Sequence, residues 1–362
     1  MSLDRIRRRL QRRNLDALLV TQPENRHYLS GYTASDHGIA GSAGVLLIPA
    51  TSQPYLLTDG RYRLQAEEQA PEFQVRVYHR GLLPLLRRLF TSLRLQRLAF
   101  ESHYLLHSVY CDLTKLAERK KVELVPLVGL VEDLRQIKNE AELALIVAAV
   151  RINEEVFATV YPQLRPGMSE REVARLIEET MHQRGAQGPS FPTIVAAGAN
   201  AAKPHAVPTA RLIAQGEPII IDMGLKIDGY CSDMTRTVVL GRPDGRILEL
   251  IRLVRRAQLA GQQALRAGVS GSFVDQVARQ VITEAGYGDY FAHGLGHGVG
   301  LNVHEGPYLS YRNRQQLRPG MVLTVEPGIY LPGWGGVRLE NMAVITANGC
   351  RILNQDTTFL DV

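Results

Sequence analysis

Two stretches of this chain each place two carboxylates where a β-hairpin would press them together. In IIIDMGLKIDGYCSDMTRT, Asp228-Gly229 marks a tight turn between two β-prone runs. A turn centred between Ile227 and Asp228 sets Asp222 opposite Asp233. In LTVEPGIYLPGWGGVRLEN, a turn centred on Gly333 sets Glu326 opposite Glu340. Side chains directly opposed on a sheet lie about 4.5–5.5 Å apart, where like charges destabilise one another. A cation between them removes that penalty, and four carboxylates match two divalent ions. Between the two stretches runs HGLGHGVGLNVHE, with His293, His297 and His304 in a glycine-rich frame that permits close backbone approach. Oxygen ligands with one imidazole suit a hard or borderline ion such as Mn²⁺, Co²⁺ or Fe²⁺. Two such ions about 3.5–4 Å apart hold and activate a water for hydrolysis.

Competing chemistries fit less well. The glycine run is not a dinucleotide fingerprint, because Val299 stands where the third glycine is needed. His304-Glu305 does not open a zinc-protease helix motif, because Tyr308 replaces its second histidine. No G-x-S-x-G elbow is present for a serine nucleophile. Isolated histidines such as His182 read as helix-surface residues.

The elements that must position these groups fall into two styles. Up to residue 125, short apolar runs (Ala17–Val20, Val45–Ile48, Tyr55–Leu57, Val75–Tyr78, Leu98–Phe100) alternate with helical patterns, which predicts an α/β domain around a central sheet. Residues 126–135 read as a linker, and residues 136–362 as an α+β domain. There Asn139 with Glu142, and Ser169 with Glu172, predict capping boxes opening two helices. Two more helices are expected over Ile247–Leu265 and Phe273–Ala285, with long antiparallel hairpins between and after them.

Composition agrees with this plan. The chain has 362 residues, 45% apolar and 22% charged, the balance of an ordinary globular protein of two domains. No apolar run approaches the roughly 18 residues of a membrane span. The first thirteen residues hold six arginines and no apolar segment follows, so no secretory signal is expected. Cys111, Cys231 and Cys350 are too scattered for a disulfide framework, and a reducing, cytoplasmic location is expected. Residues 1–130 carry 19 basic and 12 acidic side chains, an excess that raises the question of nucleic acid. The arginines are dispersed and no nucleic-acid motif accompanies them. The densest run, Arg5 to Arg13, reads instead as the solvated face of a helix seated on Leu3, Ile6 and Leu10.

The stretches SFPTIVAAGANAAKPHAVPT, IDMGLKIDGYCSDMTRT, HGLGHGVGLNVHE and VEPGIYLPGWGGVRLEN closely resemble the pita-bread metallopeptidases that cleave Xaa-Pro bonds, prolidases and Xaa-Pro aminopeptidases. PENRHYLSGY resembles part of the creatinase-type N-terminal domain. The resemblance implies an α/β creatinase-like N-terminal domain followed by an α+β pita-bread catalytic domain. It implies two divalent ions, Mn²⁺ or Co²⁺ first and Zn²⁺ or Fe²⁺ next, held by Asp222, Asp233, His297, Glu326 and Glu340. It further implies that Glu326 handles the proton of the attacking water. His205 and His304 would steady the reacting centre, and His293, Tyr330 and Arg338 would line the proline pocket beside His304. The expected substrates are peptides with proline in second position, and a homodimer is the expected assembly.

One position separates the two activities. Prolidases resembling this chain carry an arginine four residues after the histidine matching His304, suited to a terminal carboxylate. Here that residue is Tyr308, which favours an Xaa-Pro aminopeptidase, with the Xaa-Pro dipeptidase as the alternative and Arg338 as its remaining carboxylate clamp. Asn341-Met342 and Pro192 stand where acidic residues are common in the family. A non-catalytic binding module of the same fold is a remote third reading, since all five ligands are present.

Overall fold

Strands buried on both faces read as continuous apolar runs, and the first part of the chain is built on a six-stranded sheet whose four central strands are almost wholly buried. The computed structural model describes residues 2–38 and 41–361, in two compact units, Met1–Arg135 and Gln136–Val362. In the first unit the strands are β1 (Ala17–Val20), β2 (Val45–Pro49), β3 (Tyr55–Thr58), β4 (Gln74–Val77), β5 (Arg97–Glu101) and β6 (Glu123–Leu127), in the order β4-β3-β2-β1-β5-β6. β2 runs antiparallel to β1 and β3, and the remaining pairs are parallel. Alternate residues feed two cores. Leu18, Val20, Leu46, Ile48 and Leu56 pack with Leu3, Ile6 and Leu10 of α1 (Ser2–Arg12). On that side also lie α2 (Pro23–Ser30), through Leu29, and α3 (Arg63–Gln69), through Ala66. Ala17, Leu19, Val45, Leu47 and Leu57 pack on the other face against α4 (Leu82–Ser92) and α5 (His107–Lys120).

The arginines of α1 follow the expected face, with Arg5, Arg8 and Arg12 exposed. Residues 126–135 are not a linker. They finish β6 and form α6 (Glu132–Arg135), while Leu130, Val131 and Leu134 complete the first core. The boundary therefore falls between Arg135 and Gln136. The change of pattern at Pro126 made the segment read as a connector, whereas Leu130, Val131 and Leu134 are buried.

The second unit repeats one plan, a helix pair laid on an antiparallel sheet. α7 (Glu140–Val160) and α8 (Glu170–Gln183) both start at the expected capping boxes, on Asn139 and Ser169. They cover a sheet of β7 (Ile194–Ala197), β8 (Pro218–Met223) and β11 (Met234–Val239). Between β8 and β11 the short pair β9 (Lys226–Ile227) and β10 (Tyr230–Cys231) carries the turn. α9 (Gly245–Ala264) and α10 (Gly271–Glu284) cover β12 (Gly296–Gly298), β13 (Glu305–Leu309), β14 (Val322–Val325), β17 (Asn341–Ile345) and β18 (Cys350–Ile352), in the order β13-β12-β14-β17-β18. The small hairpin β15 (Gly328–Leu331) and β16 (Gly335–Arg338) separates β14 from β17.

Register in the first hairpin differs from expectation. Tyr230 pairs with Ile227 and Cys231 with Lys226, so the turn is centred on Asp228-Gly229 itself. Both residues have positive φ, 47° and 81°, as a tight two-residue hairpin turn demands. Asp222 therefore faces Thr235, not Asp233. The shift moves Asp222's partner by two residues, and because side chains alternate with period two, Asp233 remains on Asp222's side of the sheet. In the second hairpin Gly328 pairs with Arg338, and Val325 with Asn341. Both ladders keep the register that sets Glu326 opposite Glu340, and those two residues lie in the gap between them. A Gly229→Val substitution, forcing a β-branched residue to positive φ, should lower stability by about 1–3 kcal/mol, read as a lowered urea midpoint.

Candidate metal centre

Five side chains from both halves of the second unit face one cavity of about 520 Å³. Asp222 is the penultimate residue of β8, Asp233 precedes β11, His297 is the centre of β12, Glu326 follows β14 and Glu340 precedes β17. The His297 Nδ1 faces the Gly298 carbonyl at 3.1 Å, so it donates there and turns Nε2 toward the carboxylates. Nε2 lies 3.2 Å from Glu326 Oε1 and 3.6 Å from Asp233 Oδ2. Asp233, His297 and Glu340 each offer a ligand atom within 4.8 Å of the others.

The electrostatics call for a cation. Asp222 Oδ1 and Glu340 Oε1 are buried with no hydrogen-bond partner, a costly state for a carboxylate oxygen unless a positive charge meets it. Burial, then the neighbouring Glu340, Asp222 and Glu326, hold the Asp233 carboxyl well above the usual carboxylate range. Burial, then Glu326 and Asp222, do the same to Glu340. Burial also raises Asp222, against the pull of Arg338. Burial pushes Glu326 the same way but is outweighed by the His297 hydrogen bond and charge, which bring it down to about 2. His297 is correspondingly raised, its own burial overcome by Glu326. Four carboxylates and an imidazole are a donor set that fits hard or borderline divalent ions.

Behind the carboxylates stands a hydrogen-bonded chain that the sequence showed only in part. Arg338, almost fully buried, donates through Nη2 to Asp222 Oδ2 (2.7 Å) and through Nε to Thr235 Oγ1 (3.1 Å). Its Nη1 donates to Tyr330 Oη (2.9 Å) and to the Pro204 carbonyl (3.1 Å). Thr235 Oγ1 donates in turn to Glu340 Oε2 at 2.7 Å. Since His293 Nδ1 donates to the Gly294 carbonyl, its Nε2 accepts from Tyr330 Oη at 2.9 Å. Burial lowers the His293 pKa and pushes Tyr330 up to about 12, so both stay neutral. His205 and His304 stand exposed at the cavity, and the His304 ring centroid is 4.2 Å from that of His297. His182 is exposed on α8 and lies outside the cavity lining.

Thr235 and Thr324 were missed by sequence reasoning. Thr324 Oγ1 accepts from the His297 amide (3.0 Å) and donates to Glu326 Oε1 (3.0 Å), linking two of the five side chains. The signal for Thr235 was the Asp228-Gly229 turn, which, centred correctly, puts Thr235 opposite Asp222. Thr324 precedes Glu326 by two on β14 and so shares its face.

With this geometry in place, comparison with known proteins gives the class. Residues 144–347 match the model of metallopeptidase family M24, and residues 3–137 match the creatinase/prolidase N-terminal domain. The chain belongs to metallopeptidase family M24 and is a metal-dependent peptidase with a creatinase-type N-terminal domain and a pita-bread catalytic domain. Among its relatives, a Pyrococcus horikoshii protein named Xaa-Pro dipeptidase is 35% identical over 350 residues, covering 96% of this chain and 94% of that one. A solved Xaa-Pro dipeptidase from Bacillus anthracis superimposes with TM-score 0.91 at 37% identity, covering 98% of this chain and 97% of that one. An X-Pro aminopeptidase from Thermotoga maritima superimposes with TM-score 0.87 at 36% identity, covering 96% and 98%. No described helix is long and apolar enough to cross a membrane.

Raised carboxyls retain protons that a divalent ion must displace. Manganese binding to metal-free protein near pH 6 should therefore release protons, seen by calorimetry as a binding enthalpy that changes with the buffer's ionisation enthalpy. The sign for stability follows from the same shifts. A carboxyl raised in the folded state penalises folding fully above its raised folded value; the penalty shrinks as pH falls through that value and is gone below the unfolded one. Chelator-stripped protein should therefore gain more from metal at pH 8 than at pH 5, compared by thermal midpoint.

Proposed function

We propose that this chain is an Xaa-Pro aminopeptidase working with two divalent ions, Mn²⁺ or Co²⁺ by preference. The five site side chains would be their ligands. The observation that carries the reading is the pair of partnerless buried oxygens, Asp222 Oδ1 and Glu340 Oε1, in a cavity also lined by His205, His293 and His304. Bound, the ions supply an acidified water and a charge that polarises the scissile carbonyl. Glu326, ionised and beside His297, accepts the attacking water's proton. An Xaa-Pro bond has no amide hydrogen, so the substrate is recognised by its free amine and its proline ring rather than as a paired strand. The amine sits near Asp222, and the ring lies by His293, Tyr330 and Arg338. His205 and His304, at the cavity, donate where negative charge develops on the former carbonyl oxygen.

The choice of aminopeptidase rests on cations. Among the residues lining the cavity, Arg338 is the one permanent cation, and four of its N–H donors are already engaged. It is thus poorly placed to clamp a terminal carboxylate. Tyr308, half exposed in the lining, offers none of an arginine's charge. The second reading, an Xaa-Pro dipeptidase, is favoured by the names of the Pyrococcus and Bacillus anthracis relatives.

Metal-stripped protein restored with Mn²⁺ should cleave Ala-Pro-Ala well and Ala-Pro poorly; the reverse preference establishes the dipeptidase. Absence of metal-dependent cleavage of either peptide contradicts both readings. Glu326→Gln should lower kcat by about 10²–10⁴-fold, measured at saturating metal.

A further inference from the structure

The loop between β12 and β13 carries His304, whose imidazole takes no hydrogen bond from any described residue. Apart from the His297 ring, 4.2 Å away, the backbone determines where this ring stands, and the backbone is anchored on both sides. At its start, the Val299 amide donates to the Val322 carbonyl (3.1 Å) and the Cys231 amide to the Gly300 carbonyl (2.8 Å). At its end, Glu305 turns inward, its carboxylate packed against Gly300 so closely that any Cβ there would collide with it. Lys138 Nζ meets Glu305 Oε1 at 2.7 Å, with the two side chains 2% and 8% exposed.

We propose that the buried Lys138–Glu305 ion pair is a positioning device that fixes the His304 imidazole over the metal cavity. The inference rests on the reading of His304 as a donor to the reacting carbonyl. The Cys231–Gly300 bond at the start and the Glu305 contact at the end trace to one short stretch, 136–142. The Lys138 amide is itself held by the Gly320 carbonyl at 2.9 Å. Glu142, in the capping box of α7, accepts from Tyr230 Oη at 2.8 Å, and Tyr230 adjoins the Cys231 that grips Gly300. Gln136 packs against Gly306, where a Cβ would come within 2.9 Å of its Nε2. The start of α7 thus holds the beginning and the end of the His304 loop. A buried ion pair contributes little net stability compared with an apolar pair of similar volume. What it adds is direction and distance, and here those act one residue from a side chain that needs both.

The test compares Lys138→Met/Glu305→Gln, His304→Ala and the combination, in Mn²⁺-loaded protein, with whichever of Ala-Pro and Ala-Pro-Ala it cleaves. Removing both charges together avoids stranding one in the interior. The paired variant should lose about 10–100-fold in kcat, with KM and Mn²⁺ affinity unchanged. In the His304→Ala background the same pair of changes should cost nothing further. Glu305→Asp, a milder second variant that keeps the charge but retracts it by one methylene, should show a smaller loss of the same kind. Full kcat in the paired variant, losses that multiply with those of His304→Ala, or a parallel loss of Mn²⁺ binding each overturn the inference. If His304→Ala itself keeps full kcat, the reading of His304 fails and this inference falls with it.

Discussion

Four carboxylates share one small buried volume, and this repulsion is the constraint around which the second unit is arranged. Carboxylates this close and this deep do not all ionise unless positive charge joins them. The Arg338 guanidinium and the His297 imidazole make their shortest contacts with Asp222 and Glu326 respectively. Asp233 and Glu340 are left to burial and to their neighbours, and both are pushed far up. Metal binding is thus built into the fold as the relief of an unfavourable arrangement. The five cavity side chains come from strands, or from residues next to them, in both halves, so assembling the cavity requires both helix-backed sheets to be in place.

Hydroxyls and neutral rings then refine what the charges demand. Thr235 ties Arg338 to Glu340, and Thr324 ties the His297 backbone to Glu326. Tyr330 passes the hydrogen-bonded chain from Arg338 to His293 without adding charge. Arg338 sits at the centre of this arrangement, with its planar donors distributed over Asp222, Thr235, Tyr330 and Pro204. A lysine, with three donors and no planar fork, could not reproduce it. The engagement of Arg338 also bears on substrate choice, because a guanidinium bonded to its own protein has little left for a ligand.

Much of this was legible before any coordinates. The apolar runs of the first unit read as strands because they alternate between two cores, and the capping boxes at Asn139 and Ser169 read as helix starts because local side-chain chemistry makes them so. Glu326 and Glu340 were paired from the turn at Gly333, and both flanking ladders hold that register. Asp222 and Asp233 were misregistered, yet landed on one face, because a two-residue error preserves side-chain parity. Residues 126–135 misled for a different reason: the change of pattern at Pro126 looks like a connector until Leu130, Val131 and Leu134 find a core to complete.

The amino-acid sequence by itself determined most of the secondary elements, the carboxylates and imidazoles of the cavity and the faces on which they lie, since these follow from local propensity, turn chemistry and period-two alternation. Only the tertiary structure decided which groups share a charge. Arg338 and Asp222 are 116 residues apart, and Lys138 and Glu305 are 167 apart. Such pairs arise from packing the sheets and helices against one another. Nothing in the local pattern around either partner encodes the other, and burial, which makes these contacts strong, exists only after the chain has folded.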